Sequence, residues 1–127
     1  MSAKPNRPTT KDLVEAVREF LENRIMPAVE GQVAFHARVA ANVLAIVERE
    51  LETGPELDDR ERERLSRILG RTASLAELNQ DLCRRITDGS LDYMDPALLD
   101  HLRRTAVSRL SIDNPKYSAY RRAVGEI

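Results

Sequence analysis

An imidazole set among aliphatic side chains is the first group in this sequence suited to acid–base chemistry. His36 lies in the segment Gly31 to Leu51 (GQVAFHARVAANVLAIVEREL), and imidazole titrates near neutral pH without any perturbation. On the wall of a pocket it would act as a general base or a ligand contact. In a core it would instead hydrogen-bond a carboxylate or carbonyl from a neighbouring helix. No nucleophile or second histidine accompanies it at a telling spacing, so the sequence assigns no catalytic residue and favours the structural role. His101, six residues into a later helix, reads as a surface or boundary residue. Neither HxxxH nor HExxH occurs, and the lone Cys83 excludes a cysteine-based zinc site and an internal disulfide. No metal and no cofactor are expected.

Three polar residues, Arg38, Asn42 and Arg49, share the narrow polar side of the same segment at helical spacing. If that side is covered they must find partners, most simply a buried arginine–carboxylate network; they would otherwise meet an anionic ligand or a partner protein. The stretch Ser111 to Ser118 (SIDNPKYS) is a second candidate. Asn114 and Pro115 signal a turn, and Lys116 with Tyr117 would place a cation and a phenol together, suited to a phosphate or carboxylate. The alternative is a helix stop whose tyrosine folds back on the core. Asp88 to Asp95 (DGSLDYMD) lacks the calcium-loop pattern and reads as a helix-to-helix turn.

These residues need elements to position them. Around Gly31 to Leu51, Val33, Ala37, Ala40, Leu44, Val47 and Leu51 form one apolar seam, widened by Val39, Val43 and Ile46. Such a helix is expected to stand inside a bundle, enclosed by its neighbours, with Gly54-Pro55 as its stop. A first helix is expected from Thr9, whose hydroxyl and Asp12 form a capping-box variant, to Ile25, with Pro27 ending it. The short link to Gly31 predicts antiparallel packing. Glu56 to Leu69 reads as a separate charge-dense helix with a thin stripe at Leu57, Leu65, Ile68 and Leu69. Its ion pairs are expected at Glu56/Arg60, Asp58/Arg62 and Glu63/Arg67. Ser74 to Glu77 is a capping box opening a helix that faces inward through Leu75, Leu78, Leu82 and Ile86. Asp95-Pro96 starts the last long helix, with Leu99, Leu102, Ala106 and Leu110 as its expected core face.

The expected fold is therefore all-α, a single bundle of about five helices around a central apolar helix. Residues 1–8 are expected to be a disordered lead, 9–120 the bundle and 121–127 a tail. Composition narrows the function. The 20 basic and 21 acidic residues nearly cancel, and the arginines of Arg60 to Arg71 alternate with glutamates, so no nucleic-acid or membrane partner is expected. Aromatic residues make up 4% of the chain, with no Trp, which disfavours sites built on aromatic stacking. No glycine-rich phosphate loop occurs. No signal-peptide core or membrane-length apolar run is read, so a cytoplasmic location is expected.

Three segments carry a resemblance: Gly31 to Leu51, Ser74 to Ile86 (SLAELNQDLCRRI) and His101 to Ser118 (HLRRTAVSRLSIDNPKYS). They resemble a bacterial family of small helical proteins of unknown function, encoded beside or fused behind aminoglycoside-phosphotransferase-like kinases and often near acyl-CoA dehydrogenases. The similarity runs from about Thr9 to Tyr120. It implies accessory work in acyl or hydroxy-acid catabolism and carries no catalytic residue. The leading expectation is a non-enzymatic interaction protein, partnering such a kinase or dehydrogenase. The alternative is a domain binding an acyl or phosphorylated intermediate, contacted by His36, Arg38, Asn42, Asn114, Lys116 and Tyr117. A small enzyme using His36 ranks last, and a symmetric homodimer is compatible with every reading.

Overall fold

The computed structural model describes residues 6–125. The expected disorder of Met1 to Pro5 and the last two residues of the tail lie outside that range. Five helices and no strand occur among the described residues: α1 (Thr10–Phe20), α2 (Gly31–Leu69), α3 (Leu75–Thr87), α4 (Pro96–Asp113) and α5 (Ser118–Ala123). The all-α architecture is the one expected. The chain divides between Gly54 and Pro55 into two compact units.

In the N-terminal unit, Thr9 caps α1 as read from the sequence, its hydroxyl accepting from the Asp12 N–H while Asp12 accepts from the Thr9 N–H. After Phe20 the helix widens into a π turn over Leu21–Ile25 and tightens into a 3-10 turn over Met26–Ala28, where Pro27 sits. Lys11 meets Glu52 at 3.4 Å and Arg18 grips Glu48, so low numbers on α1 face high numbers on α2 and the pair is antiparallel. Arg18 donates through both Nε and a terminal nitrogen to Glu48 and reaches Glu22 at 3.0 Å. Its hydrogen bond to the Glu48 carboxylate raises the guanidinium above its ordinary range. The sequence places its expected arginine–carboxylate network at Arg38 and Arg49 and does not single out Arg18. Glu48→Gln is expected to lower stability by about 1–3 kcal/mol, the worth of hydrogen bonds to a charged group, read as a lower urea midpoint by circular dichroism.

The enclosure expected for Gly31 to Leu51 is not what α2 shows. Ala37, Ala41 and Glu48 are buried, yet Val33, Val39 and Val43 are 60%, 42% and 51% exposed. A single neighbouring helix covers only the arc through Ala37, Ala41, Leu44 and Glu48 and leaves the adjoining apolar arc open. The predicted stop at Gly54-Pro55 is also corrected, because α2 continues to Leu69 with Pro55 inside it. Pro55 removes one ladder donor, while the Thr53 hydroxyl donates to the Arg49 carbonyl at 2.9 Å in the same turn. Helix formers on both sides keep the phase. Gly54 is buried with the Glu50 carboxylate over its Cα; an added Cβ would sit 2.9 Å from a Glu50 oxygen.

The C-terminal unit has the hydrophobic core. Leu65, Leu69, Leu78, Leu82 and Leu98 pack together, flanked by Ile68, Leu75, Ile86 and Leu91. Ser74 caps α3 by accepting from the Glu77 N–H at 3.2 Å, while the Glu77 carboxylate faces Arg71 at 3.9 Å. Asp95 caps α4 through the Leu98 N–H, with Pro96 in the first turn. Glu56 and Arg60 pair at 2.6 Å as expected, and Arg62 turns to Asp59 in place of Asp58. Asp81, buried in α3, is held by Arg84 and Arg85, and the Arg84 bond keeps its carboxyl below the usual range.

Candidate functional site

The site with the most chemistry lies in the C-terminal unit, where α2 meets α4. The α4 core face is one residue out of phase with the expected stripe. Leu98, His101 and Ile112 are buried, whereas Leu99 and Leu102 are 44% and 42% exposed. Two apolar stripes run along this helix at permissible spacing, and the more polar one packs inward. His101 is accordingly 2% exposed, the reverse of its reading as a surface or boundary residue.

A buried imidazole needs a partner, and α2 supplies it. Arg64 donates from Nε to His101 Nδ1 at 3.0 Å and from a terminal nitrogen to Thr105 Oγ1 at 3.1 Å. With Nδ1 accepting, the neutral ring carries its proton on Nε2. Burial first, and then the Arg64 charge, hold His101 below its ordinary range. Burial likewise lowers Arg64, although a guanidinium stays protonated throughout the working range. The hydrogen-bond partners of Arg64 are thus neutral, and the carboxylates acting on its charge are Glu61 and Asp100.

Around this pair is an open groove of about 480 Å³, lined by Arg64, Arg67, Ile68, Ala97, Asp100, His101 and Arg104. Asp100 accepts from Arg104 Nε at 2.9 Å. Three guanidinium groups against one carboxylate suit a phosphate or carboxylate, which arginine binds with two parallel N–H donors. Ile68 and Ala97 add an apolar strip on which a short acyl chain can lie.

The residues singled out from the sequence are elsewhere. His36 is exposed on α2, its ring edge-on to Phe35 at 5.6 Å between centroids; it does not join the core, because α1 packs on a different arc of the helix. Arg38 and Asn42 are exposed on the polar side of α2. Asn114 ends α4 through its N–H to the Leu110 carbonyl, and its own carbonyl accepts from the Tyr117 N–H at 3.1 Å. Lys116 and Tyr117 follow in the exposed turn, so the tyrosine does not fold back on the core. Three of these six residues fall in each compact unit.

Sequence reasoning missed Arg64, Arg67, His101 and Arg104. One signal pointed to Arg64: at about 100° per residue it falls about 20° from Leu57 and about 40° from Ile68, a basic residue inside an apolar stripe. A base there must be buried with a partner or aimed into a ligand site.

Fold and groove together define an all-helical protein with an arginine-lined recess. The chain belongs to the family described as Domain of unknown function (DUF6285), whose pattern matches residues 27–117. No curated protein and no solved structure matches it. No described helix is long and apolar enough to cross a membrane.

Proposed function

We propose that this chain is a non-enzymatic accessory protein that holds an anionic acyl or phosphorylated intermediate in the Arg64–His101 groove. The observation carrying this reading is Arg64 itself, a half-buried guanidinium whose hydrogen bonds go to His101 and Thr105, with Arg67 and Arg104 lining the same recess. Its hydrogen bonds go to neutral groups, and Glu61 and Asp100 are the carboxylates that act on its charge, so a carboxylate or phosphate would compete with them for it. The role fits the setting implied by the resemblance, a bacterial protein serving a phosphotransferase-like kinase or an acyl-CoA dehydrogenase in acyl or hydroxy-acid catabolism. The groove residues replace His36, Lys116 and Tyr117 as the ligand contacts.

Isothermal titration with inorganic phosphate, a short-chain hydroxy acid and a short-chain acyl-CoA tests the reading. Saturable binding of at least one is expected, weakened about 10- to 100-fold by Arg67→Glu or Arg104→Glu, the scale of one hydrogen-bonded charge. The bound ligand should also raise the melting temperature. Absence of heat and thermal shift at millimolar ligand would overturn it. Co-expression with a phosphotransferase-like kinase followed by size-exclusion chromatography tests the accessory role, with separate elution counting against that partner.

A further inference from the structure

Arg67 differs from the arginines around it. Arg60 pairs with Glu56, Arg62 with Asp59, Arg71 with Glu77 and Arg104 with Asp100. Arg64 gives its hydrogen bonds to His101 and Thr105 and has Glu61 and Asp100 acting on its charge. The pair expected between Glu63 and Arg67 is not made, and neither side chain has a hydrogen bond or ion pair among the described residues. Arg67 instead adds its repulsion to Arg64.

The same residue lines two recesses. One is the groove of about 480 Å³ that holds Arg64, Ile68, Ala97 and Asp100. The other, of about 390 Å³, is bounded by Arg62, Glu63, Ser66, Thr72 and Ala73, on α2 and the link to α3. At about 100° per residue, Arg67 falls about 60° from Arg64 and about 40° from Glu63, in opposite senses. Arg67 is therefore on the boundary between the two, with uncompensated charge at the junction.

We propose that the anion held at Arg67 is a phosphodiester, with an apolar arm along Ile68 and Ala97 and a hydroxyl-bearing arm among Glu63, Ser66 and Thr72. This rests on the anion-binding reading of the groove and names its ligand class. A carboxylate or a phosphomonoester has one substituent and fills one recess, whereas a diester continues on both sides of its charge. Each recess also contains a carboxylate, Asp100 in the first and Glu63 in the second, which repels any further negative charge. The arms are accordingly uncharged and the ligand a monoanion. One unpaired guanidinium suits it, giving two parallel N–H donors to the two non-bridging oxygens. Glu63 accepts from a ligand hydroxyl, and the Ser66 and Thr72 hydroxyls donate or accept.

Isothermal titration of the full chain with butyl phosphate, glycerol phosphate and the butyl glyceryl phosphodiester tests the proposal. The diester should bind about 10-fold more tightly than either monoester, the worth of one or two added hydrogen bonds. Arg67→Gln should weaken the diester about 10- to 100-fold. Ser66→Ala with Thr72→Val should bring the diester to the level of butyl phosphate and leave butyl phosphate unchanged. All three positions are exposed or half-buried, and Thr72→Val, outside every helix, serves alone if the double variant unfolds. Cosedimentation with phosphatidylglycerol vesicles that Arg67→Gln abolishes would assign the diester to a lipid headgroup, and its absence to a soluble ligand. Equal affinity for monoester and diester, or a diester indifferent to the Ser66 and Thr72 changes, would overturn the diester and leave the groove's anion binding standing. So would tighter binding of a short oligonucleotide, a polyanion, than of the single diester. No binding of any of the three esters would overturn both.

Discussion

Leu98→Ala is expected to cost about 3 kcal/mol of stability, while Leu99→Ala, one residue further on, costs less than about 1 kcal/mol. Leu98 is 0% exposed in the core cluster with Leu65, Leu69, Leu78 and Leu82, whereas Leu99 is 44% exposed. Truncating a buried leucine loses its transfer free energy and leaves a cavity that neighbours fill only in part. At Leu99 nearly half of the lost surface was in water already. For a unit of this size the difference corresponds to a melting temperature lower by upward of about 10 °C for Leu98→Ala. Urea and thermal unfolding of the two variants measure it. Equal losses, or a larger loss at Leu99, would show α4 packed in the phase its leucine content suggests.

The second large effect is on pH dependence. Burial and Arg64 lower the folded His101 below the value of about 6.5 that it recovers on unfolding. Between those two values the unfolded chain binds the extra proton and the folded chain does not. The contribution of His101 to stability is therefore complete above about pH 6.5 and is lost as pH falls through the folded value. Protonating Nδ1 would also set a donor against the Arg64 Nε–H that it now accepts from. Asp81 and Asp88 are carboxylates held below their usual range, by Arg84 and Ser90 respectively, so their losses come at pH values below about 4. Urea midpoints at pH 7.5, 6.0 and 5.0 should fall for the wild-type chain. His101→Gln, which keeps an acceptor and cannot titrate, should flatten that fall. Parallel slopes for the two proteins would remove His101 as its source.

Both effects depend on a choice that α4 makes and its sequence does not display. Leucine content favours the stripe through Leu99, Leu102 and Leu110, while the buried stripe passes through Leu98, His101, Thr105 and Ile112. The second is possible because Arg64, 37 residues away in the chain, satisfies the imidazole and the hydroxyl together. A polar group is cheap to bury only when its partner is in place, and that partner is invisible to a one-dimensional pattern. The same blindness misplaced His36. Its position within an apolar arc was legible, but which arc α1 would cover was not.

Local chemistry was legible wherever cause and effect lie within one turn of helix. The Thr9 box, the Ser74 cap and the Asp95-Pro96 start follow from side chains reaching backbone groups three residues away, and the Asn114 stop from the proline that follows it. Apolar spacing likewise determined that the chain is all-helical and that α2 has more apolar surface than one neighbour can cover. Tertiary structure decided the rest: that α2 runs through Pro55, that Arg18 pairs with Glu48, and that Arg64 holds His101 in a groove also lined by Arg67 and Arg104. Those outcomes depend on which of several acceptable faces meets which neighbour. Faces are selected by packing and by mutual satisfaction of polar groups across the fold, quantities that exist only once distant segments are in contact.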